Sequence, residues 1–446
     1  MPHSRSWAAL AALLALPLAA CTQPLTRQAF DDVASRTESI AGARPAWPQD
    51  AAETAVNAEA IRQLLAKPLD AEAAMRMALL NNPRLRADFS ALGLSAADLQ
   101  AARRPPNPGF SFARLRRGSD IEIDRGIGVD LLGLLSLPLL SDIEARHFET
   151  AKLNATRHAL NLATKTRTAW YQAVAAAQTL ALHDRLRDAA SVQADLAREM
   201  RRAGNIPLLD QVRAQLLQAE IALAHAAARQ QAWLTRQRLG LLLGLEDGFA
   251  LPDRLPEPPE QARRIADIEA QAIANRLDIR IAEAELAAMA RADGLSNATR
   301  FVNLLEGGLV RNSESGRADQ TGYELRFELP LFDFGDIKSS RAAYRHAQAR
   351  DNLAALAQES RAETRAAYAA YNTAFDLQRQ RRTEILPLHQ RIQEEMLLRY
   401  NGMLAGPFDL LAETRAGLMA AIAAIEAQRD FWLADSALRF VIHDAL

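Results

Sequence analysis

Eight histidines and one cysteine are the side chains of this 446-residue chain best suited to metal or nucleophilic chemistry. His147 and His158 lie eleven positions apart, on one helical face but about three turns apart along the axis, too far to share an ion. His183 and Asp184 are adjacent and so point in different directions, and His346 and His389 are isolated. Glu283 and Glu285, two apart on a helix, do not face each other. The sequence has no phosphate loop, no nucleophile elbow and no HExxH. The eight methionines are scattered and outline no thioether pathway. These spacings predict a protein that is not an enzyme and holds no metal. With 53 basic and 54 acidic residues the net charge is −1, which argues against a nucleic-acid partner. A single cysteine excludes an intramolecular disulfide framework, a multi-cysteine zinc site and a self-contained iron–sulfur cluster.

The chemistry predicted for that cysteine is a modification. Residues 1–20 read as an export signal, with Arg5 before an apolar run from Trp7 to Leu18 that is too short to span a membrane comfortably. Leu18-Ala19-Ala20-Cys21 resembles the bacterial lipobox, which implies that Cys21 becomes the acylated first residue of the mature chain. A covalent lipid on Cys21 would then be the only non-protein group. Thr22, rather than an aspartate, implies by the same resemblance delivery to the outer membrane. Residues 21–68, with Pro24, Pro45 and Pro48 among polar residues, read as an extended lipidated tether. No later apolar stretch approaches the length of a helical membrane span.

The elements behind these residues follow a tandem repeat. Ala78-Leu79-Leu80-Asn81 aligns with Ala272-Ile273-Ala274-Asn275 at an offset of about 194 positions, and Leu85 and Leu92 align with Ile279 and Leu286. Leu137-Pro138-Leu139 aligns with Leu329-Pro330-Leu331, Asp142-Ile143 with Asp336-Ile337, and Gly204 with Gly402. The first repeat covers 69–250, a Pro-rich linker 251–264, and the second repeat 265–446. Each carries a helix (about 70–103 and 265–294), a β segment (about 107–138 and 299–331), a very long helix (about 141–203 and 336–400), a Gly turn and a further helix (about 206–245 and 407–442). A helix of about 60 residues spans roughly 90 Å, more than a compact domain needs. Leu209, Val212, Leu216, Ala219, Leu223 and Ala226 recur at threes and fours, a coiled-coil-like seam.

In the β segments, Ile121, Ile123, Ile127, Val129 and Leu131 alternate with Glu122, Asp124, Gly126, Gly128 and Asp130. Tyr323, Leu325, Phe327 and Leu329 alternate with Glu324, Arg326 and Glu328. Period two sustained along each run fits strands between lipid and a wet lumen. Phe110–Arg116 and Phe301–Val310 would be their hairpin partners. Four strands in lipid leave two open edges, so several copies must share one barrel: two would give eight strands, three would give twelve.

On this frame the chain resembles the TolC family of outer-membrane efflux proteins, in its lipoprotein branch. The likeness rests on Ala78-Leu79-Leu80-Asn81-Asn82-Pro83, on Leu329-Pro330-Leu331-Phe332-Asp333-Phe334-Gly335, and on Arg399-Tyr400-Asn401-Gly402-Met403 running into Asp409-Leu410-Leu411. It implies a mainly α chain, a duplicated long-helix coiled-coil bundle with two β-hairpins. Three chains would form a 12-stranded outer-membrane barrel on a periplasmic helical tunnel. The implied partners are a periplasmic adaptor and an inner-membrane pump, of the RND type for small-molecule efflux. At the tip turns marked by Gly204 and Gly402, the resemblance makes Tyr400 and Asp210 latch candidates and Asp409 a candidate for an acidic ring. Ala405 and Ala412 stand where a latch arginine and a second ring acid can occur, with Glu413 or Arg399 as substitutes. Asp210 and Asp409 also fall just after a turn, where a carboxylate complements the helix dipole. The function expected is a passive exit duct for small molecules. The rivals are a duct for type I protein secretion and a lipid-anchored periplasmic helical scaffold without a pore.

Overall fold

A computed structural model describes residues 23–298, 304–328 and 335–442. Cys21, the signal segment and Leu329 to Phe334 lie outside the described residues. The elements run α1 (Gln23–Ala41), α2 (Ala51–Leu65), α3 (Ala71–Asn81), α4 (Pro83–Ala102), β1 (Gly109–Arg117), β2 (Asp120–Asp130), α5 (Leu131–Arg202) and α6 (Leu208–Leu243). There follow α7 (Ile268–Asn275), α8 (Leu277–Ala298), β3 (Leu305–Glu314), β4 (Gln320–Phe327), α9 (Asp336–Gln380), a π-helical segment (Arg381–Ile385), α10 (Leu386–Asn401) and α11 (Pro407–Ile442). The chain is mainly helical with two hairpins, as the sequence predicts.

The duplication is visible in the backbone. Asn82 ends α3 at φ −67°, ψ 120°, with its N–H donating to the Ala78 carbonyl. Arg276, at the corresponding place in the second repeat, ends α7 at φ −64°, ψ 124°, with its N–H donating to Ala272. In the first repeat Pro83 forces this break, because a residue before proline is driven out of the helical region. In the second, Leu277 follows and the break persists. There the buried Arg276 guanidinium bonds Glu363 at 2.7 Å.

Contacts divide the described chain into two units, one built from 23–33, 88–156 and 277–358, the other from 34–87, 157–276 and 359–442. The first unit holds the sheet. Its helical portion is tied by the buried Lys152, whose Nζ lies 3.2 Å from the Asp32 carboxylate, and by an edge-to-face contact of Phe30 with Phe89 at 5.1 Å. The second unit centres on Trp170, whose Nε1 donates to the Leu69 carbonyl at 2.7 Å. Tyr171 stacks on Trp432, which meets Phe431 edge-on, and Phe431 packs on Tyr371 and Phe375. Part of the Pro-rich linker is held here too: the Pro256 carbonyl accepts from Gln428 Nε2 and Trp432 Nε1.

Three expectations are corrected. The extended tether is replaced by α1 and α2. In α1, Ala29, Phe30, Val33, Ala34, Thr37 and Ala41 are buried at helical spacing, so this segment carries an apolar stripe that outweighs the polar residues around it. The β segment of the first repeat stops at Asp130, and Leu131 to Pro138 begin α5, which runs 72 residues with Pro138 inside it. The long helix of the second repeat widens into the π segment just before Pro387. The Leu386 N–H there reaches back five residues to Arg381, a spacing that relieves the clash a proline ring makes with the preceding turn. Among the described residues the α6 seam is left uncovered: Leu209, Val212, Leu216, Ala219, Leu223 and Ala226 lie on the solvent side, with Leu209, Val212, Leu216 and Leu223 exposed.

Candidate functional site

In the first unit the four strands form one antiparallel sheet in the order β1-β2-β3-β4. The two hairpins join through β2 and β3. Within the described chain β1 and β4 are open edges, β1 pairing with β2 and β4 with β3. Successive side chains alternate faces and directly paired residues share one, so the register sorts every residue. One face carries Phe110, Ile127, Leu309 and Tyr323 in one row, with Val129 and Leu325, then Leu305 and Phe327, in the rows nearer the helices. Most of these side chains are exposed, Tyr323 at 87%. The opposite face carries Glu122, Asp124, Asp130, Glu306, Glu314 and Glu324. Asn312 Nδ2 donates to both Glu122 and Asp124 at 2.6 Å, and Arg326 pairs with Glu306 and Glu324, each at 3.1 Å. Gly308 is required on this face, because a Cβ there would sit 2.8 Å from the Ile127 carbonyl oxygen. The predicted alternation is therefore present along the described strands; the expected start of the third strand, at Phe301, lies outside the described residues, and β3 runs from Leu305.

In the second unit the two tip turns share one hydrogen-bond pattern. Asn205 N–H donates to the Met200 carbonyl and Leu404 N–H to Arg399, both at 2.8 Å. Gly204 N–H donates to Arg201 and Met403 N–H to Tyr400, both at 3.0 Å. The counterpart of Gly204 is thus Met403, not Gly402. Gly204 has φ +75° and Met403 φ +60°, whereas Gly402 has an ordinary φ of −80°. Met403 is 94% exposed and Leu404 beside it is also exposed. A left-handed methionine costs about 1–2 kcal/mol of local strain, of the kind found at switch and docking positions.

Asp210 and Asp409 occupy equivalent third positions of α6 and α11. Asp409 Oδ2 accepts from the Gly406 N–H at 3.0 Å, half of a capping box. Asp210 has no such N–H to accept from, since Pro207 stands at its cap, and pairs with Arg213 at 3.4 Å. Arg399 Nε donates to Glu395 at 3.1 Å, the Glu413 carbonyl accepts from Gln393, and Tyr400 is partly exposed. Among the described residues, no hydrogen bond or ion pair joins Asp210, Arg399, Tyr400, Asp409 and Glu413 to one another. Asp210, Arg399 and Asp409 are each satisfied locally within the single chain.

A polar contact that spacing did not predict joins α5 to α6, His225 Nε2 to Asp184 at 2.8 Å. The adjacent His183 has a buried Nδ1 without a hydrogen-bond partner, and burial, then His225, holds its imidazole below the usual histidine range. Burial likewise pushes the Tyr171 phenol up to about 12 and draws the Arg167 guanidinium down. Among the described residues no three metal-ligating side chains converge, and no helix is long and apolar enough to cross a membrane.

No protein-family model matches the chain, and no curated protein does. Solved structures do. The open state of the Neisseria gonorrhoeae MtrE outer membrane channel superposes with a TM-score of 0.70 at 18% identity, over 84% of this chain and 88% of that one. The chain has the fold of an outer-membrane channel. The Campylobacter jejuni CmeC outer membrane channel gives a TM-score of 0.69 at 16% identity, over 86% of each chain. A Pseudomonas aeruginosa membrane protein gives 0.69 at 20%, over 86% of this chain and 92% of that one. At these identities the likeness is one of fold.

Proposed function

We propose that three copies of this chain form an outer-membrane exit duct for small molecules, anchored by a lipid on Cys21 and fed by an inner-membrane pump through a periplasmic adaptor. The observation that carries this reading is the sheet: four strands with an apolar face, an acidic face and two open edges. In a bilayer those edges must close, because hydrocarbon offers no partner to a free N–H or carbonyl. Three copies give twelve strands with the apolar rows outward and the carboxylates inward, wide enough for a passage, whereas eight strands fill with side chains. The exposed α6 seam supports the same assembly, since neighbouring copies would cover Leu209, Val212, Leu216 and Leu223. In this reading transport through the duct is passive and driven by the partner. Discrimination is then set by lining charge and the entrance turns.

Planar-bilayer recording of the purified full-length protein, with its mass in mild detergent, tests the duct. Stepwise channels from a trimer are expected. A monomer without conductance would sink the proposal and leave the helical scaffold. Cys21→Ala is expected to abolish palmitate labelling, and unchanged labelling would remove the anchor from the reading.

A further inference from the structure

The apolar face of the sheet changes character toward the hairpin turns. Beyond the row of Phe110, Ile127, Leu309 and Tyr323, the next row is Phe112, Arg125, Arg311 and Thr321. The following rows carry Arg114 beside Ile123, and Arg116 beside Ile121. Arg125 and Arg311 are directly opposed across β2 and β3, a like-charge pairing that disfavours the sheet in isolation. The only acid that alternation assigns to this face, among the described residues, is Asp319, bonded by Arg311 through both Nε and an Nη. Arg116 turns its Nε to the Gly118 carbonyl. No described ion pair holds Arg114 or Arg125, and all four arginines are exposed. Four guanidinium groups against one carboxylate leave three net positive charges per chain.

We propose that this rim is a binding site for the phosphate groups of anionic membrane lipids. The inference rests on the duct reading, which turns this face to lipid. Rows are about 7 Å apart, so the arginines begin where the apolar band gives way to headgroups. Guanidinium forks match phosphate oxygens with paired hydrogen bonds, and a phosphate between Arg125 and Arg311 turns their repulsion into a clamp. The row one step nearer the helices, Phe110, Ile127, Leu309 and Tyr323, meets the upper acyl chains. A soluble phosphate would gain nothing from that apolar row, which favours a lipid headgroup.

The test reconstitutes the full-length protein in phosphatidylcholine vesicles with and without a bisphosphorylated glucosamine lipid, and measures lipid retained after detergent extraction by mass spectrometry. The unsubstituted protein is expected to keep the phosphorylated lipid in preference to phosphatidylcholine. The combined Arg114→Gln, Arg125→Gln and Arg311→Gln variant is expected to lose about tenfold or more of that retention. Its channel conductance in phosphatidylcholine alone is expected to persist, which shows that the barrel still forms. Arg125→Gln by itself breaks no described hydrogen bond and is expected to lower retention several-fold. Equal retention by substituted and unsubstituted proteins, no preference over phosphatidylcholine, or complete displacement by inorganic phosphate would overturn the lipid site while leaving the duct intact. Loss of conductance by the unsubstituted protein as well would overturn the duct reading and the lipid site together.

Discussion

Asn82 Nδ2 donates to the Leu242 carbonyl at 2.9 Å, so the residue that ends α3 also closes the last turn of α6, 160 residues away. Its Oδ1 meanwhile accepts from the N–H groups of Arg84 and Leu85, at 2.9 and 3.1 Å, and starts α4. Asn81 does the same for the Leu243 and Gly244 carbonyls. One amide thus satisfies orphan groups at two helix ends that a hydroxyl or carboxylate can satisfy only in part. Asn82→Ala is expected to cost about 2 kcal/mol, the loss of an N-cap plus a stranded carbonyl. Asn82→Asp keeps the acceptors and loses the donor, so it should cost about half as much. Thermal unfolding of the three proteins checks this, and equal losses for both variants would show that the N-cap contributes nothing.

The left-handed Met403 gives a second expectation. Met403→Gly removes the Cβ clash and is expected to stabilise the protein by about 1 kcal/mol, while Gly204→Ala at the equivalent turn should destabilise it by a similar amount. Denaturation midpoints would reveal both signs. If Met403→Gly also weakens capture of an adaptor, the strain belongs to docking; a stability gain with unchanged capture makes it local.

His183 supplies a pH dependence. Its folded pKa lies below the usual value because burial, then His225, disfavours the charged ring, against weaker opposite pulls from Glu426 and Asp184. The unfolded chain takes up the proton near about pH 6.5, and the folded chain does so only at lower pH. Stability from this group is therefore complete above about pH 7 and declines as pH falls through about 6.5 toward the folded value. His183→Gln should narrow the difference in melting temperature between about pH 7.5 and about pH 5.5, and an unchanged difference would assign the dependence elsewhere.

How far the sequence carries the fold depends on the range of the interaction. The helices, hairpins and duplication follow from period and spacing, and the strand alternation survives in three dimensions. Residues whose role depends on a partner far along the chain are not legible in it. Asn81-Asn82-Pro83 stands out as a motif, but nothing local shows that it caps α6. Arg125 and Arg311 become neighbours only through the β2–β3 register, which joins segments from opposite repeats. The α1 stripe is present in Ala29, Phe30, Val33, Ala34 and Thr37, and is masked by the surrounding prolines. Gly402 attracts the turn assignment because glycine is the usual left-handed residue, and Met403 takes that conformation against its preference.

Asp409 is the remaining candidate at the entrance, and its geometry decides how to test it. The carboxylate accepts from the Gly406 N–H, so removing it disturbs the α10–α11 turn as well as any ring of charge. Asp409→Asn retains an acceptor oxygen for that N–H and deletes only the charge, which separates the two roles. If three copies of Asp409 line the entrance, Asp409→Asn should relieve block by multivalent cations in single-channel recordings by about tenfold or more, with little change in melting temperature. Asp210→Asn, at the equivalent position but neutralised by Arg213, should have a smaller effect. Block unaltered by Asp409→Asn, or altered equally by both substitutions, would place the constriction at other residues.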